Sequence, residues 1–216
     1  MRKINSLLIY RMTHINNIPF ILKNGLWSQL SGVIDHDFVP IGNPEVISIR
    51  TNKPVGVNPP GGTLGEFIPF YFSGHSPMLL NIATGYGVKL TPQKDIAFIV
   101  CDAVELINYG IPFCFTDGNA TKTLTRFYNN LLSLNALDWD TIRATIWKNT
   151  DSDYDRVRKK MSEFLAKKYI PPFLIKEIVV RNEDVRTSLM AMLGDTVQDC
   201  QIKVDVKNKL FYRQYD

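Results

Sequence analysis

The sequence contains few of the residues that build disulfide frameworks or metal sites. Its 216 residues include only three cysteines and three histidines. The cysteines are odd in number and widely spaced, without a CxxC pair, which favours reduced thiols over disulfides or a zinc site. The histidines are equally scattered, at positions 14, 36 and 75. We therefore expect no metal centre.

Long apolar runs and the common catalytic motifs are also missing. The apolar run at residues 6–10 is too short to span a membrane, and no signal-peptide pattern accompanies it, so we expect a cytoplasmic protein without membrane contact. No GxGxxG, GxxxxGK[ST], HExxH or GxSxG motif occurs. The nearest approach to a phosphate-binding loop, at residues 61–65, lacks the following Lys-Ser/Thr, and turn chemistry favours a simple turn after Pro59 and Pro60.

The overall composition is that of an ordinary globular protein. Hydrophobic residues make up 45% of the chain, charged residues 21% and aromatic residues 11%. No Ser/Gly-rich or highly charged linker divides the chain, so we predict one domain over residues 1–216. We also expect a monomer. The net charge of +4 permits contact with nucleic acid without requiring it.

Local patterns predict an α+β fold. Short apolar or β-branched runs alternate with amphipathic segments, without the regular spacing of βαβ units. Pro69 requires an edge or a bulge in its strand. Residues 30–65 lack periodicity and are expected to form a long loop. The predicted strands are 6–10, 67–72, 96–100, 113–116 and 178–180, with a hairpin over 202–212. The predicted helices are 17–25, 102–110, 124–132, 138–147 and one that begins after Asn182.

One carboxylate stands out because of its neighbours. Glu163 lies between two groups of cations, at positions 156–160 and at positions 167 and 168. If the segment is helical, Glu163 lies on the solvent face. If Glu163 begins a strand at the mouth of a cleft, its carboxylate can stabilise positive charge on a ribose, and the cations can meet phosphates. The residue pattern leaves both interpretations open.

Several ordered blocks of the chain resemble the DarT family of DNA ADP-ribosyltransferases. The resemblance extends from end to end and rests on many separate segments, which makes it more specific than any single motif. The matching blocks are residues 9–15, 47–50, 52–55, 59–64, 69–72, 76–79, 112–117, 137–139 and 163–165.

The resemblance implies an ADP-ribosyltransferase fold, with two packed antiparallel sheets around an NAD⁺ cleft. It also implies that ADP-ribose is transferred from NAD⁺ to a base, thymine first, in single-stranded DNA, with residues 117–163 recognising the substrate. The implied partner is the macrodomain antitoxin DarG. The implied catalytic residues are Glu163 and Arg50, and the implied NAD⁺-binding residues are Arg11, Met12, Thr13, Gly25, Arg50, Tyr71 and Met78.

Some members of the family have histidine where this chain has Arg11, which replaces a titratable group with a permanent donor. Three other functions stay open: the same transfer to guanine, a related transferase acting on RNA or protein, and a non-catalytic nucleic-acid-binding module. Aromatic side chains are candidates for stacking on bases, although core packing explains them equally well. They are Tyr71, Phe127, Tyr128 and Trp147.

Overall fold

The computed structural model describes residues 4–146, 148–195 and 202–213. These residues form strands β1 (Leu8–His14), β2 (Leu26–Trp27), β3 (Phe67–Tyr71), β4 (Ile96–Asp102), β5 (Phe113–Thr116), β6 (Phe127–Tyr128), β7 (Glu163–Lys167), β8 (Tyr169–Ile170), β9 (Ile175–Val180) and β10 (Lys203–Val206). The helices are α1 (Ile18–Asn24), α2 (Pro44–Asn52), α3 (Pro77–Thr84), α4 (Ala103–Asn108), α5 (Trp139–Arg143), α6 (Arg156–Lys160) and α7 (Glu183–Leu193). Within these ranges, every helix is too short or too polar to cross a membrane.

Eight strands form one large sheet in the order β10-β9-β4-β1-β3-β7-β5-β6, and β2 pairs with β8 in a second, two-stranded sheet. The pairs are antiparallel except for β10 with β9. The large sheet has two parts, because β1 and β3 are joined at a single residue pair, Tyr10 with Tyr71. This mixture of antiparallel strands and flanking helices confirms the predicted α+β class.

Apolar side chains cover both faces of the large sheet. All seven residues of β4 are buried, and neighbouring residues point to opposite faces of a strand. Ile99 packs into a cluster with helices α1, α4 and α7, whereas Phe98 packs into a second cluster with α3. The sheet is therefore held between two apolar layers, which fixes the strand ends that carry polar residues.

The predicted strand with Pro69 lies inside the sheet order, between β1 and β7. On one side Pro69 pairs with Leu165 of β7. On the other side, β1 pairs with β3 only at Tyr71. The Pro69 carbonyl instead accepts a hydrogen bond from Arg11 Nη1 at 3.1 Å. Proline has no backbone N–H to donate, and Pro69 lies where the two parts of the sheet separate and no such donor is needed.

Three local predictions were wrong. Residues 30–65 contain helix α2, in which no residue is buried, so burial periodicity gives no signal. Within the segment 124–132, Phe127 and Tyr128 form β6 against β5, and Leu124 and Leu132 are exposed. Pairing with β5 outweighs the helical spacing of apolar residues there.

The C-terminal hairpin is the third wrong prediction. In the described residues, β10 runs parallel to β9, and a short 3-10 turn at Asn208–Leu210 follows it. Phe211 is buried against the ring of Phe98, at 5.2 Å between ring centroids, instead of pairing with β10. Helix α5 is also shorter than the predicted helix 138–147, since it ends at Arg143.

Candidate active site

Glu163 is the first residue of β7, and its side chain is only 3% exposed. Helix α6 ends at Lys160, so the helical pattern of the cationic run stops before the carboxylate. The next three residues are fully buried, because β7 lies between β3 and β5 in the interior of the sheet. Of the two interpretations of the sequence, the strand is therefore confirmed.

Both oxygens of the Glu163 carboxylate have a donor. Arg50 Nη1 donates to Oε2 at 2.8 Å, and the backbone amide of Ala120 donates to Oε1 at 2.9 Å. Charge-assisted hydrogen bonds of this kind are the stronger ones in proteins. The carboxylate is held in one orientation by two segments that are far from it in the sequence.

Arg50 reaches Glu163 from the last turn of α2. This helix begins at Asn43, whose side chain accepts hydrogen bonds from the amides of Glu45 and Val46, and Pro44 occupies its first turn. Although no residue of α2 is fully buried, the Arg50 side chain is only 12% exposed. Its Nη2 atom is buried and has no hydrogen-bond partner among the described residues.

An unpartnered, buried guanidinium nitrogen is costly unless an acceptor reaches it. The Nη2 atom of Arg50 therefore identifies a position for an acceptor from a bound molecule beside Glu163. An anionic ligand fits best, because the neighbouring Arg11 is also cationic. Burial and the charge of Arg50 lower the pKa of Arg11 to about 10, so Arg11 keeps its charge at neutral pH.

Tyr71 completes the group of polar residues around Glu163. It is the cross-strand partner of Glu163 on β3, which places the two side chains on the same face of the sheet. Burial, and next the charge of Glu163, raise the pKa of the Tyr71 phenol, which stays protonated. The structure thus brings together Arg11, Arg50, Tyr71 and Glu163, four of the residues expected from the resemblance.

The other expected NAD⁺-binding residues lie in different surroundings. Met12 is buried in the second apolar cluster, and Met78 packs against the same cluster together with Tyr71. The Thr13 hydroxyl is buried and accepts a hydrogen bond from Asn17. Gly25 ends α1 with φ +82°, and a Cβ there would collide with Tyr169. Helix termination and close packing already account for this glycine.

Thr116 connects Glu163 to the segment that follows β5. Its hydroxyl accepts a hydrogen bond from the Glu163 amide at 3.1 Å and donates one to the Gly118 carbonyl at 2.7 Å. The turn that begins at Gly118 then places the Ala120 amide against the carboxylate. Neither Thr116 nor Ala120 carries a sequence signal, because one contributes a short polar side chain and the other a backbone group.

Arg158 holds the same turn against α6. Its Nη1 donates to the Asp117 carboxylate at 2.8 Å and to the Thr125 hydroxyl at 3.2 Å, while Nε and Nη2 bind Asp155. A Cβ on Gly118 would collide with this guanidinium. One arginine therefore connects both ends of the turn to the helix that leads into Glu163.

We expect Arg158→Lys to lower the free energy of unfolding by about 2 kcal/mol, because one ammonium cannot bridge all these acceptors and leaves a partly buried Asp117 poorly paired. The measurement is urea unfolding, with the midpoint and the slope fitted separately. Arg186→Lys is the control, since Arg186 pairs with Glu183 on the exposed surface of α7 and should change stability by about 0.5 kcal/mol at most. Equal effects of the two substitutions would contradict the bridging role of Arg158.

Two of the aromatic residues considered for stacking on bases pack against other residues of the protein. Tyr128 stacks on Phe115, with 5.3 Å between ring centroids, and Phe127 packs against the loop at Gly56. Trp147 lies outside the described residues. In the described ranges, no group of three or more His, Cys, Asp or Glu side chains is arranged to hold a metal ion.

The fold and the site define a class of protein. A buried glutamate opens a central strand of an antiparallel α+β sheet, and a cationic pair that can take an anionic ligand surrounds it. These features agree with the ADP-ribosyltransferase class that the sequence resemblance implies. Comparison with known proteins identifies the family. The family model described as "ssDNA thymidine ADP-ribosyltransferase, DarT" matches residues 10–212, and the chain belongs to this family.

The relatives of the chain agree. A DNA ADP-ribosyl transferase of Escherichia coli O127:H6 is 37% identical over 183 residues, which is 84% of either chain. The DarT of Thermus sp. 2.9 in complex with ADP-ribosylated single-stranded DNA superposes with a TM-score of 0.88 at 30% identity, over 98% of this chain and 99% of that one. Its complex with NAD⁺ gives a TM-score of 0.82 at 29% identity, over 98% and 100%.

A fusion protein is also among the relatives. The Thermosipho africanus protein is described as a DNA ADP-ribosyl transferase joined to a DNA ADP-ribosyl glycohydrolase, and it is 26% identical over 195 residues. The match covers 87% of this chain and 46% of the fusion protein. The present chain therefore spans about half the length of the fusion protein.

Proposed function

We propose that this protein transfers ADP-ribose from NAD⁺ to a base of single-stranded DNA and releases nicotinamide. The buried Glu163 carboxylate carries the proposal, because it is fixed between Arg50 and the Ala120 amide beside an open guanidinium edge. The Thermus sp. complexes with NAD⁺ and with ADP-ribosylated single-stranded DNA support the same substrates.

The residues of the site fit an anionic dinucleotide. The buried Nη2 of Arg50 needs an acceptor, and Arg11 adds a second positive charge. When bound, NAD⁺ supplies the ADP-ribosyl group, with nicotinamide as its leaving group. Glu163 stabilises the positive charge that develops on the ribose, and its fixed orientation removes the cost of reorganising during the reaction. Tyr71, the cross-strand partner of Glu163, also packs against the second apolar cluster, to which Met12 and Met78 contribute.

Arg50 acts through its charge and its donors. A guanidinium has five N–H donors and no acceptor atom, so it is poorly suited to take the proton that leaves the attacking base. Its contact with Glu163 Oε2 orients the catalytic carboxylate, and its second edge is free for an anionic group of either substrate. We therefore assign Arg50 to orientation and charge stabilisation.

Thymine is the acceptor we propose first, in agreement with the family description, and guanine is the alternative. We expect the protein to modify single-stranded oligonucleotides at least about ten times faster than the matching duplexes, because extruding a paired base costs a few kcal/mol. Mass spectrometry of the nucleosides after incubation with NAD⁺ identifies the base. RNA and protein acceptors are tested in parallel, and modification of these alone would contradict the proposal.

A macrodomain antitoxin, DarG, is the partner we propose. The Thermosipho africanus fusion joins a DNA ADP-ribosyl glycohydrolase to the transferase, which supports a functional pair. We also propose a monomeric, single-domain enzyme that works in the cytoplasm, where its DNA substrate is found.

A further inference from the structure

The cationic run around Glu163 is largely occupied by internal contacts. Five of its six arginine and lysine side chains bind carboxylates or carbonyls within the described structure, whereas Lys168, beyond the far end of β7 from Glu163, is exposed and has no side-chain contact there. Arg158 pairs with Asp117 and Asp155, Lys159 with Asp138 and Asp153, Lys160 donates to the carbonyls of Ile142 and Ala144, and Lys167 donates to those of Pro60 and Gly61. Most of this run is therefore engaged in internal contacts, and other cations are better placed to bind phosphates beside Glu163.

Two lysines near the site are in a different situation. Lys53 follows α2 directly, three residues after Arg50, and its amide caps that helix on the Ile49 carbonyl. Lys122 lies two residues after Ala120, in the turn that binds Glu163. The two residues that contact the Glu163 carboxylate are thus each followed closely by a lysine.

The segments that carry these lysines lie against each other. Val55 and Val57 on one side and Phe127 on the other pack against a common apolar cluster that includes Ala120. Asn129 donates a hydrogen bond to the Pro59 carbonyl at 2.6 Å. The lysines therefore lie on facing segments at one side of the candidate active site.

Neither ammonium group is neutralised. In the part of the chain that the structure describes, neither Lys53 nor Lys122 forms an ion pair or donates a side-chain hydrogen bond. Partial burial lowers the pKa of Lys53, and the positive charge of Lys122 lowers it further. Two like charges held together without a counterion favour an anion between them.

We propose that Lys53 and Lys122 form a phosphate-binding site for the DNA backbone, next to the nucleotide that receives ADP-ribose. The inference rests on the proposed function and identifies the contact that holds the acceptor strand. Leu124, two residues beyond Lys122, is 78% exposed and offers an apolar surface for a neighbouring base. A phosphate and a base of the same strand can thus be bound by one turn.

The pyrophosphate of NAD⁺ is the other source of phosphate in this reaction. Arg50 Nη2 and Arg11 lie nearer to the buried carboxylate and already provide positive charge for the dinucleotide. Lys122 is exposed and lies in the turn beyond Ala120, outside the buried contact with the carboxylate. These positions favour the DNA strand as the ligand of the lysine pair.

The test measures binding of a fluorescein-labelled thymine-containing single strand to Lys53→Met, Lys122→Met and the double variant, by anisotropy at several salt concentrations without NAD⁺. Each neutralised phosphate contact contributes about 0.7 to the slope of log affinity against log salt for a single strand. We expect the magnitude of the negative slope to decrease by about 0.7 in each single variant and by about 1.4 in the double variant. Lys94→Met, an exposed lysine in another segment, is the control and should leave the slope unchanged.

Steady-state kinetics separate the two sources of phosphate. The proposal requires that the double variant raise KM for the oligonucleotide by about tenfold at moderate salt while KM for NAD⁺ stays the same. A higher KM for NAD⁺ with an unchanged DNA slope would assign the pair to the pyrophosphate and overturn the proposal. If the lysine variants change the salt dependence of DNA binding as expected but the unmodified protein transfers no ADP-ribose, the proposed function is wrong and the phosphate-binding site is still supported. Melting temperatures close to that of the unmodified protein show that the variants are folded.

Discussion

Replacing Glu163 by glutamine is expected to lower kcat for ADP-ribosyl transfer by about a hundred- to a thousandfold. The amide removes the negative charge that stabilises the developing cation, and loss of one fixed electrostatic contact costs about a hundred- to a thousandfold in comparable sites. The amide NH2 would also oppose either Arg50 Nη1 or the Ala120 amide, both of which are donors. The measurement is single-turnover transfer to a single-stranded oligonucleotide.

The matched control for this substitution is Glu177→Gln. Glu177 lies on β9, is also mostly buried and pairs with Lys207, so its replacement removes a similar ion pair outside the site. We expect this variant to keep transfer within about threefold of the unmodified protein. Calorimetry of both variants with NAD⁺ should detect binding, which separates loss of chemistry from loss of structure. Transfer by Glu163→Gln at a tenth of the original rate or more would rule out the catalytic role.

The sequence predicted those elements whose signals are local. Helix α1 begins after Asn17 and ends at Gly25, and α7 begins after Asn182, whose side chain accepts a hydrogen bond from the Val185 amide. Strand β5 coincides with its predicted range. Caps, glycine ends and continuous apolar runs depend on neighbouring residues, and therefore they can be recognised without knowledge of the tertiary fold.

Elements that depend on distant partners were missed. Helix α2 has an N-cap at Asn43 but no buried residue, so it lacks the periodic apolar stripe that marks most helices. Strand β6 forms because Phe127 and Tyr128 pair with Thr116 and Phe115, and that partnership outweighs the helical spacing of nearby apolar residues. The β10 segment pairs with β9, from which more than twenty residues separate it in the sequence.

The site shows the same limit. The sequence drew attention to Glu163 because cations surround it. Most of those cations, however, form ion pairs or hydrogen bonds with other residues of the fold. The pairing of Arg50 with Glu163 spans 113 residues and has no signature in spacing. Only the resemblance to a family singled out Arg50, and no pattern could reveal the backbone amide of Ala120.

Arg11 has a structural role in addition to its charge. Its Nη1 donates to the Pro69 carbonyl where β1 and β3 separate. Proline has no backbone N–H, so β3 offers no donor to β1 at this residue. An imidazole is shorter and has fewer donors than a guanidinium. The arginine therefore connects the two parts of the sheet and also adds positive charge beside Arg50.

Arg50→Lys is expected to lower kcat/KM by about a hundredfold, and it tests what Arg50 does. Lysine can keep one charged contact with Glu163 but cannot supply the second edge that Nη2 provides. If Arg50 removed the proton from the acceptor base, a lysine with a pKa near 10.4 would be the better base, and activity would rise steeply with pH toward that value. Since we assign Arg50 to orientation and charge, we expect low activity without that rise. The measurement is kcat/KM between pH 6 and 10 for Arg50→Lys, with Arg186→Lys as the surface control, and recovery of activity at high pH in the first variant alone would reverse the assignment.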